Sequence, residues 1–305
     1  MSLDLPFFER ARSRIARRIV ETPILDHAAS GLRMKLECLQ VTGSFKARGA
    51  LHRLLSLSPD VTARGIITAS GGNHGLAVAY AARAIGVPAV VYLPTHTPAE
   101  KAQRMEAWGA TVMRAGEVWD DAHAAALAHA ERDGLTYVHP FADPEVVAGQ
   151  GTIALELFAQ APDTDALIVA IGGGGLIAGV GAAARLLRPG LRVIGVEPVG
   201  APTLYESLRA NDVIELAKID TRAGTLAPRR SARYTFDIVK GCVDEIVLVS
   251  DDEMKEAARW LMQNAHVGVE LSGAAAVAAF LGRKADLAGA KRPCALVCGA
   301  GTDYS

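Results

Sequence analysis

The 305-residue sequence contains few cysteines. Cys38, Cys242, Cys294 and Cys298 are the four present. They show neither the paired CxxC spacing of a zinc site nor the density of a secreted disulfide scaffold. We therefore expect no metal site, and we expect the chain to work in the reducing environment of the cytoplasm.

The sequence also has no excess of charge of one sign. Its 32 lysines and arginines oppose 33 acidic residues, which gives a formal net charge of -1. The two signs are mixed along the chain, so there is no electrostatic footprint for a nucleic acid or a lipid surface. The expected partner is a small molecule.

A long uninterrupted hydrophobic run is absent as well. The uncharged stretch from residue 166 to 184 approaches the ~20 residues of a transmembrane helix. Its centre, however, is four consecutive glycines, and a strand, a glycine turn and a helix explain the same letters better. We predict no membrane span. The arginine-rich N-terminus also contains Asp4 and Glu9, so we expect an amphipathic helix there rather than a targeting signal.

What the sequence does contain is an alternation of predicted strands and helices without repeats or low-complexity tracts. Half of its residues are apolar, and its length suits one large domain or two smaller ones. The alternation predicts an α/β protein with open, mostly parallel sheets flanked by helices. Glycine-bearing turns follow several of the strands, at the sheet edge where such folds bind ligands.

One of the candidate functional residues is a lysine at a helix start. In "VTGSFKARGA", Lys46 falls in the first turn of a predicted helix, where the helix dipole disfavours a cation. Burial and positive potential lower a lysine pKa, and only a neutral lysine attacks a carbonyl. Gly43 lets the chain turn, Ser44 is expected to cap the helix, and Phe45 offers a flat apolar face.

A glycine run follows a predicted strand and opens a predicted helix. Its letters, "IGGGGL", cover Gly172, Gly173, Gly174, Gly175 and Leu176. Backbone N–H groups bare of side chains can converge there on a phosphate. Gly173, Gly175 and Ala178 also fit a dinucleotide fingerprint, and Glu197 lies about where a ribose-binding acid belongs. A nicotinamide-dependent oxidoreductase is therefore an alternative.

The motif "SGGNHG" forms another strand-to-helix turn. Its backbone N–H groups, together with Ser70 and Asn73, could hold a carboxylate or a phenolic oxygen. Local turn chemistry is the competing explanation for Asn73 and His74.

Taken together, "KLECLQVTGSFKARGA", "SGGNHG", "YVHPFADPEVVAGQGT", "IGGGGL" and "VCGAG" resemble the serine/threonine dehydratase family of fold type II pyridoxal phosphate enzymes. The match runs in order from about residue 20 to the C-terminus. The resemblance implies a two-domain, tryptophan synthase β-subunit-like fold. Residues 1–52 and 143–305 would form a large cofactor domain, and residues 53–142 a small inserted domain that carries "SGGNHG". It also implies a homodimer.

The resemblance assigns a role to each motif. Lys46 is expected to form the Schiff base with pyridoxal 5'-phosphate and then to remove the α-proton of the substrate. The remaining cofactor contacts are expected from Phe45 beside the ring, Asn73 at its phenolic oxygen, Cys298 at its pyridine nitrogen, and Gly172, Gly173, Gly174, Gly175 and Leu176 around its phosphate. The substrate carboxylate is expected to bind Ser70, Gly71, Asn73 and His74.

The implied reaction is α,β-elimination from a β-hydroxy amino acid, L-threonine or L-serine, which releases a 2-oxo acid and ammonia. Related racemases carry a serine at the position of Gly71, so racemisation is the weaker alternative. Arg229, Arg230 and Arg233 raise the further alternative of a hydroxyaspartate-like diacid substrate. The sequence departs from the family around Glu270, where "VELSGAA" lacks the usual proline before Ser272, and at Gly224 and Thr225, which lack the acid of a divalent-cation site.

Overall fold

The computed structural model describes residues 3 to 303. In this part of the chain the α-helices are α1 (Leu5–Ile15), α2 (Lys46–Ser56), α3 (Pro59–Thr62), α4 (Asn73–Ile85), α5 (Ala99–Ala107), α6 (Trp119–Asp133), α7 (Pro144–Gln160), α8 (Gly175–Leu187), α9 (Thr203–Ala210), α10 (Arg233–Cys242), α11 (Asp251–Ala265) and α12 (Leu271–Leu281). The strands are β1 (Ile24–His27), β2 (Leu32–Lys35), β3 (Ile66–Ala69), β4 (Ala89–Leu93), β5 (Thr111–Arg114), β6 (Thr136–Tyr137), β7 (Ala166–Ala170), β8 (Arg192–Pro198), β9 (Glu245–Val249) and β10 (Pro293–Leu296).

The strands form two sheets. A six-stranded sheet has the order β1-β2-β10-β7-β8-β9, and all its neighbours are parallel except β1 and β2. A four-stranded sheet, β5-β4-β3-β6, is wholly parallel. Every residue of β3 and β7 is buried, because helices cover both faces of a parallel sheet. The predicted α/β class with mostly parallel sheets is confirmed.

The smaller sheet is built entirely from the segment predicted to form the inserted domain. Its strands lie between Ile66 and Tyr137, and every strand of the larger sheet lies outside residues 53–142. The predicted boundary at residue 52 falls inside α2, whose Leu51 and Leu54 share an apolar cluster with α4. The two-domain division stays a prediction, and residues 1, 2, 304 and 305 of its larger part lie outside the described residues.

The two segments with unusual composition fold as the sequence predicts. Residues 166 to 184 form β7, the glycine turn and most of α8, and no helix within residues 3–303 is long and apolar enough to cross a membrane. The arginine-rich segment forms α1, which buries Phe7, Phe8, Ala11 and Ile15 and directs its arginines to solvent.

Three helices touch one another through glycines. A methyl group on Gly149 of α7 would lie 2.6 Å from the Cα of Gly49 in α2, and one on Gly179 of α8 would lie 2.2 Å from the carbonyl oxygen of Val147. These distances are too short for a Cβ atom, so the helices approach this closely only because the residues are glycines. Helix α7 therefore packs directly against both α2 and α8.

A buried ionic cluster lies behind the start of α2. The Arg48 guanidinium donates from Nε and Nη2 to the two carboxylate oxygens of Glu37, each at 2.8 Å, and from Nη2 to Glu156 at 2.9 Å. Lys35 Nζ donates to the same Glu156 oxygen at 2.6 Å. Arg48, Glu37 and Lys35 are fully buried, and their charges are balanced because two cations face two carboxylates. The cluster fixes α2 to the strand and helix that flank it.

Candidate active site

Lys46 is the first residue of α2, as predicted. Its Nζ donates to the carbonyl oxygen of Pro140 at 2.8 Å and lies 5.1 Å from the centroid of the Phe45 ring. The expected cap is wrong: Phe45 is the N-cap residue, and Ser44 Oγ has no hydrogen-bond partner within residues 3–303. The turn is held by backbone instead, because Phe45 N donates to the carbonyl oxygen of Cys298.

The surroundings of Lys46 make its amine easier to deprotonate than that of an ordinary lysine. Burial lowers its pKa from the ordinary value of 10.5 to about 8, although the neighbouring Cys298 and Glu270 side chains act in the opposite direction. About a tenth of this amine is therefore neutral at pH 7, far more than for an ordinary lysine, and the neutral form is the one that attacks carbonyl groups.

The glycine loop lies between β7 and α8. Gly174 is the N-cap residue of α8, with a φ of 91° that favours glycine. No acceptor among residues 3–303 bonds the N–H groups from Gly172 to Leu176, and Gly174, Gly175 and Leu176 are buried. Free N–H groups at a helix N-terminus form an anion site.

The loop is held in place by residues that the sequence analysis missed. The Phe141 ring covers Gly173, where a methyl group would lie 2.3 Å from it. Ser231 Oγ and Thr235 Oγ1 donate to the carbonyl oxygen of Gly173 at 3.0 and 3.2 Å. Because Phe141 follows Pro140 in the chain, the loop and the Lys46 amine lie beside one short segment. The motif "HPFADP" could have indicated Phe141 as a site residue from the sequence, whereas no local pattern indicates Ser231.

The "SGGNHG" turn lies between β3 and α4, which begins at Asn73. The N–H groups of Asn73 and His74 have no acceptor within the described range, and Gly72 N donates to Ser70 Oγ at 3.3 Å. A methyl group on Gly71 would lie 3.1 Å from Thr97 Oγ1. The turn therefore has the free backbone donors that a carboxylate needs.

The side chain of His74 is engaged within the protein. Its Nε2 donates to the carbonyl oxygen of Val138 at 3.1 Å. Burial lowers its pKa to about 3, so the ring is neutral. His74 thus ties α4 to the chain just before Pro140, and its backbone is the part that remains free for a ligand.

The "VCGAG" loop joins the Lys46 turn to the start of α12. Ala300 N donates to the carbonyl oxygen of Gly43 at 2.8 Å, and Cys298 Sγ donates to the carbonyl oxygen of Ser272 at 3.3 Å. Burial raises the pKa of the Cys298 thiol far above its usual range. The thiol is therefore neutral.

A half-buried carboxylate that the sequence analysis did not select also belongs to the site. Glu270 Oε1 accepts from Asn73 Nδ2 at 2.8 Å, from Thr225 Oγ1 at 3.3 Å and from Ser272 Oγ. Thr225 also reaches the glycine loop, since a methyl group on Gly172 would lie 2.8 Å from its carbonyl oxygen. Contacts thus connect the four predicted segments: the Lys46 turn, the glycine loop, the "SGGNHG" turn and the "VCGAG" loop.

The residues behind two alternative predictions are either bonded within the protein or exposed. Glu197 is fully buried, burial raises its pKa to about 8, and its oxygens accept from Leu204 N and Tyr205 N at 2.8 Å each. It therefore caps α9 and offers no oxygen to a ribose. Arg229 forms an exposed ion pair with Glu215, and Arg233 pairs with Asp212. Arg230 is also exposed.

A lysine of lowered pKa and a glycine loop with free N–H groups, in an α/β fold, are the features expected of an enzyme that binds a phosphorylated aldehyde. The family model described as pyridoxal-phosphate dependent enzyme matches residues 15–299. The chain belongs to this family.

Individual relatives agree with that assignment. The chain is 40% identical to an L-threonine ammonia-lyase of Geobacter sulfurreducens over 301 residues, which cover 96% of this chain and 75% of the relative. It is 38% identical to a phenylserine dehydratase of Ralstonia pickettii, covering 98% and 94% of the two chains. The structure of maize serine racemase superposes with a TM-score of 0.94 at 31% identity, covering 98% and 94%. The predicted fold type II architecture, pyridoxal phosphate cofactor and ammonia-lyase class are confirmed.

The described residues fit this cofactor. The buried N–H groups of the glycine loop need an anionic partner, and the amine of Lys46 has a lowered pKa suited to an aldehyde. Asn73 provides an amide and Cys298 a neutral thiol. The role of each residue toward the cofactor stays a prediction.

The lowered pKa of Lys46 predicts how fast the apoprotein captures its cofactor at each pH. The capture rate should rise with pH and level off above about 8, because the neutral amine dominates above its pKa. Stopped-flow absorbance of added pyridoxal phosphate measures the rate, with N-acetyllysine as the control for titration of the cofactor itself. A midpoint near 10.5, the ordinary lysine value, would contradict the prediction.

Proposed function

We propose that this protein is a dehydratase that converts L-threonine, L-serine or both to a 2-oxo acid and ammonia. The observation that carries the proposal is the position of Lys46, whose Nζ bonds Pro140 beside the residue that covers the glycine loop. A base of lowered pKa thereby lies next to the anion site, which is the arrangement that an elimination at the α-carbon requires.

Different residues of the site have different roles in this elimination. When bound, pyridoxal phosphate supplies a ring that accepts the charge left on the α-carbon. The neutral amine of Lys46 takes the α-proton, since its pKa of about 8 lies near the working pH. The free N–H groups at the start of α4 bind the substrate carboxylate. Loss of the α-proton and the β-hydroxyl, followed by hydrolysis, gives the 2-oxo acid and ammonia.

The position of Gly71 supports elimination over racemisation. A racemase needs a proton donor on the face of the α-carbon opposite Lys46, and glycine has no side chain to donate. By resemblance, related racemases carry a serine there. The space is also limited, because a methyl group on Gly71 would lie 3.1 Å from Thr97 Oγ1.

The proposal is tested by a visible spectrum before and after borohydride, mass analysis of the peptide that contains Lys46, and ammonia assays on L-threonine and L-serine. A yellow protein with a pyridoxyl group fixed on Lys46 and ammonia release from either substrate is the expected result. Formation of D-serine without ammonia would favour a racemase. A colourless protein that binds a nicotinamide would overturn the assignment.

An aryl side chain on the substrate is a second candidate. Phe141 covers the glycine loop and packs edge-on against His139, whose ring centroid is 4.6 Å away. A relative named phenylserine dehydratase has 38% identity. Adding phenylserine to the ammonia assay separates the two candidates by their kcat/KM values.

Because Arg229 and Arg233 form exposed ion pairs, we predict that a hydroxyaspartate-like diacid is not the substrate. Arg229→Ala and Arg233→Ala should each leave kcat/KM for L-threonine within about twofold, because exposed ion pairs contribute ~0–1 kcal/mol and both arginines are engaged in such pairs. Ammonia release from hydroxyaspartate that disappears in these variants would instead support the diacid substrate.

We further propose that the protein is a cytoplasmic homodimer with a small domain that closes on the substrate. The resemblance supports the dimer, which light scattering of the purified protein tests. The four cysteines are buried and unpaired, as expected in a reducing compartment. Closure of the β3 to β6 sheet would exclude water from the reacting carbon.

A further inference from the structure

The contact between Glu270 and Asn73 joins two segments that are far apart in the chain. Glu270 precedes α12, and Asn73 begins α4 in the turn that is expected to contact both cofactor and substrate. The Asn73 Nδ2 to Glu270 Oε1 distance is 2.8 Å. Glu270 is half-buried, and desolvation raises its pKa while hydrogen bonds from Ser272, Asn73 and Thr225 lower it.

The glycines of "VCGAG" make room for this carboxylate. A methyl group on Gly299 would lie 2.4 Å from Glu270 Oε1 and 3.2 Å from Asn73 Nδ2, and one on Gly301 would lie 2.6 Å from Glu270 N. A side chain at either glycine would displace the carboxylate. The motif therefore does more than carry Cys298, because it keeps Glu270 in contact with Asn73.

The hydrogen bonds have a fixed direction. Thr225 Oγ1 directs its single proton to Ser272 Oγ at 2.6 Å, closer than Glu270 Oε1 at 3.3 Å. Ser272 Oγ therefore donates its own proton to Glu270 Oε1, which also accepts from Asn73 Nδ2. We take this accepting oxygen as the unprotonated one, whether or not the other carboxylate oxygen is protonated. The amide of Asn73 must therefore turn its NH₂ group toward Glu270, and it cannot flip without placing two acceptors against each other.

We propose that Glu270 is a positioning residue that fixes the Asn73 amide so that its second N–H remains a donor for the ring oxygen of the cofactor. A flipped amide would oppose its carbonyl oxygen to an anionic oxygen, which repels. The inference rests on the proposed function, since it assigns Asn73 to the cofactor, and it adds a residue that acts only through Asn73.

The test is a double-mutant cycle on the affinity for pyridoxal phosphate, read by equilibrium dialysis and by the visible absorption maximum. Glu270→Gln should weaken binding by about fivefold or more, because a neutral amide accepts more weakly than a carboxylate and can itself flip. Asn73→Ala should weaken it as well. In the Asn73→Ala protein, Glu270→Gln should have no further effect on the affinity or the spectrum.

A variant in which the two side chains exchange their hydrogen-bonding roles distinguishes the orientation of the Asn73 amide from the mere presence of a hydrogen bond between the two segments. Asn73→Asp combined with Glu270→Gln regenerates a hydrogen bond between the segments with donor and acceptor exchanged. The double variant should unfold at the wild-type temperature but retain the weak binding and shifted spectrum, because a carboxylate in place of the Asn73 amide has no N–H to donate. Glu253→Gln, which alters a glutamate at the start of α11, is the control and should bind as the wild type does.

Two results would overturn the inference. Additive effects in the cycle would mean that Glu270 acts independently of Asn73, and wild-type affinity in the variant with exchanged roles would mean that only the hydrogen bond between the segments matters. A wild-type protein that fails to bind pyridoxal phosphate at all would overturn the proposed function along with it, so the two failures are distinguishable.

Discussion

Lys46→Ala should lower the rate of ammonia release by at least about a thousandfold. Removal of a positioned acid or base alone costs ~10²–10⁴-fold, and this amine is also the expected covalent attachment point of the cofactor. The neighbouring imidazoles of His74, which is buried, and His139, which is half-buried, should not substitute for it, because both are hydrogen-bonded and their pKa values are lowered to about 3 and 4.

Two measurements accompany this variant. Borohydride should no longer fix a pyridoxyl group on the peptide that contains residue 46, and the control Lys291→Ala, at an exposed position, should keep full activity. A Lys46→Ala protein that retains a tenth of the wild-type rate, or that becomes labelled at another lysine during turnover, would show that the reactive amine lies elsewhere.

Arg48→Met should reduce the free energy of unfolding by about 3–5 kcal/mol, because it leaves Glu37 as a buried carboxylate without its partner. Both carboxylate oxygens of Glu37 accept from Arg48 at 2.8 Å, and both side chains are fully buried. Chemical denaturation monitored by circular dichroism measures the loss. Cofactor binding should weaken too, since Arg48 lies two residues after Lys46.

The double variant Glu37→Met with Arg48→Met isolates the charge. It should recover most of the lost stability, because replacing both members of a buried pair by apolar residues is often nearly neutral. The remaining Lys35 and Glu156 stay paired at 2.6 Å. Lys218→Met, which breaks an exposed pair with Asp220, should change the unfolding free energy by less than about 1 kcal/mol. A double variant as unstable as Arg48→Met would show that altered packing, and not the unpaired charge of Glu37, causes the lost stability.

Much of this architecture could be predicted because its signals are local. The glycines at residues 172 to 175 follow an apolar strand, and "SFKARGA" has apolar positions at helical spacing, so both helix starts were predictable from neighbouring letters. Parallel topology then places the carboxyl ends of the strands at one edge. The resemblance supplied the order of the motifs and the cofactor, which spacing alone leaves open between pyridoxal phosphate and a nicotinamide.

The remaining features depend on contacts between distant segments. Ser44 has the side chain of a helix cap, yet the turn packs against the "VCGAG" backbone and leaves its hydroxyl unused. Glu270 is 197 residues from Asn73, and Ser231 lies in an arginine-rich segment that indicates only a solvated surface. Glu197 fits a ribose-binding position in the sequence, but its carboxyl oxygens accept hydrogen bonds from backbone N–H groups at the N-terminus of α9. Local patterns do not specify which partner a polar group finds.

The glycine contacts among α2, α7 and α8 have a consequence for how the enzyme can evolve. Lys46 begins α2, the glycine loop precedes α8, and α7 contacts both helices through glycine backbone. A side chain at Gly149 or Gly179 would push these helices apart and so change the distance between the amine and the loop. The β3 to β6 sheet lies outside this packed trio, so its loops other than the Asn73 turn can vary with new substrates.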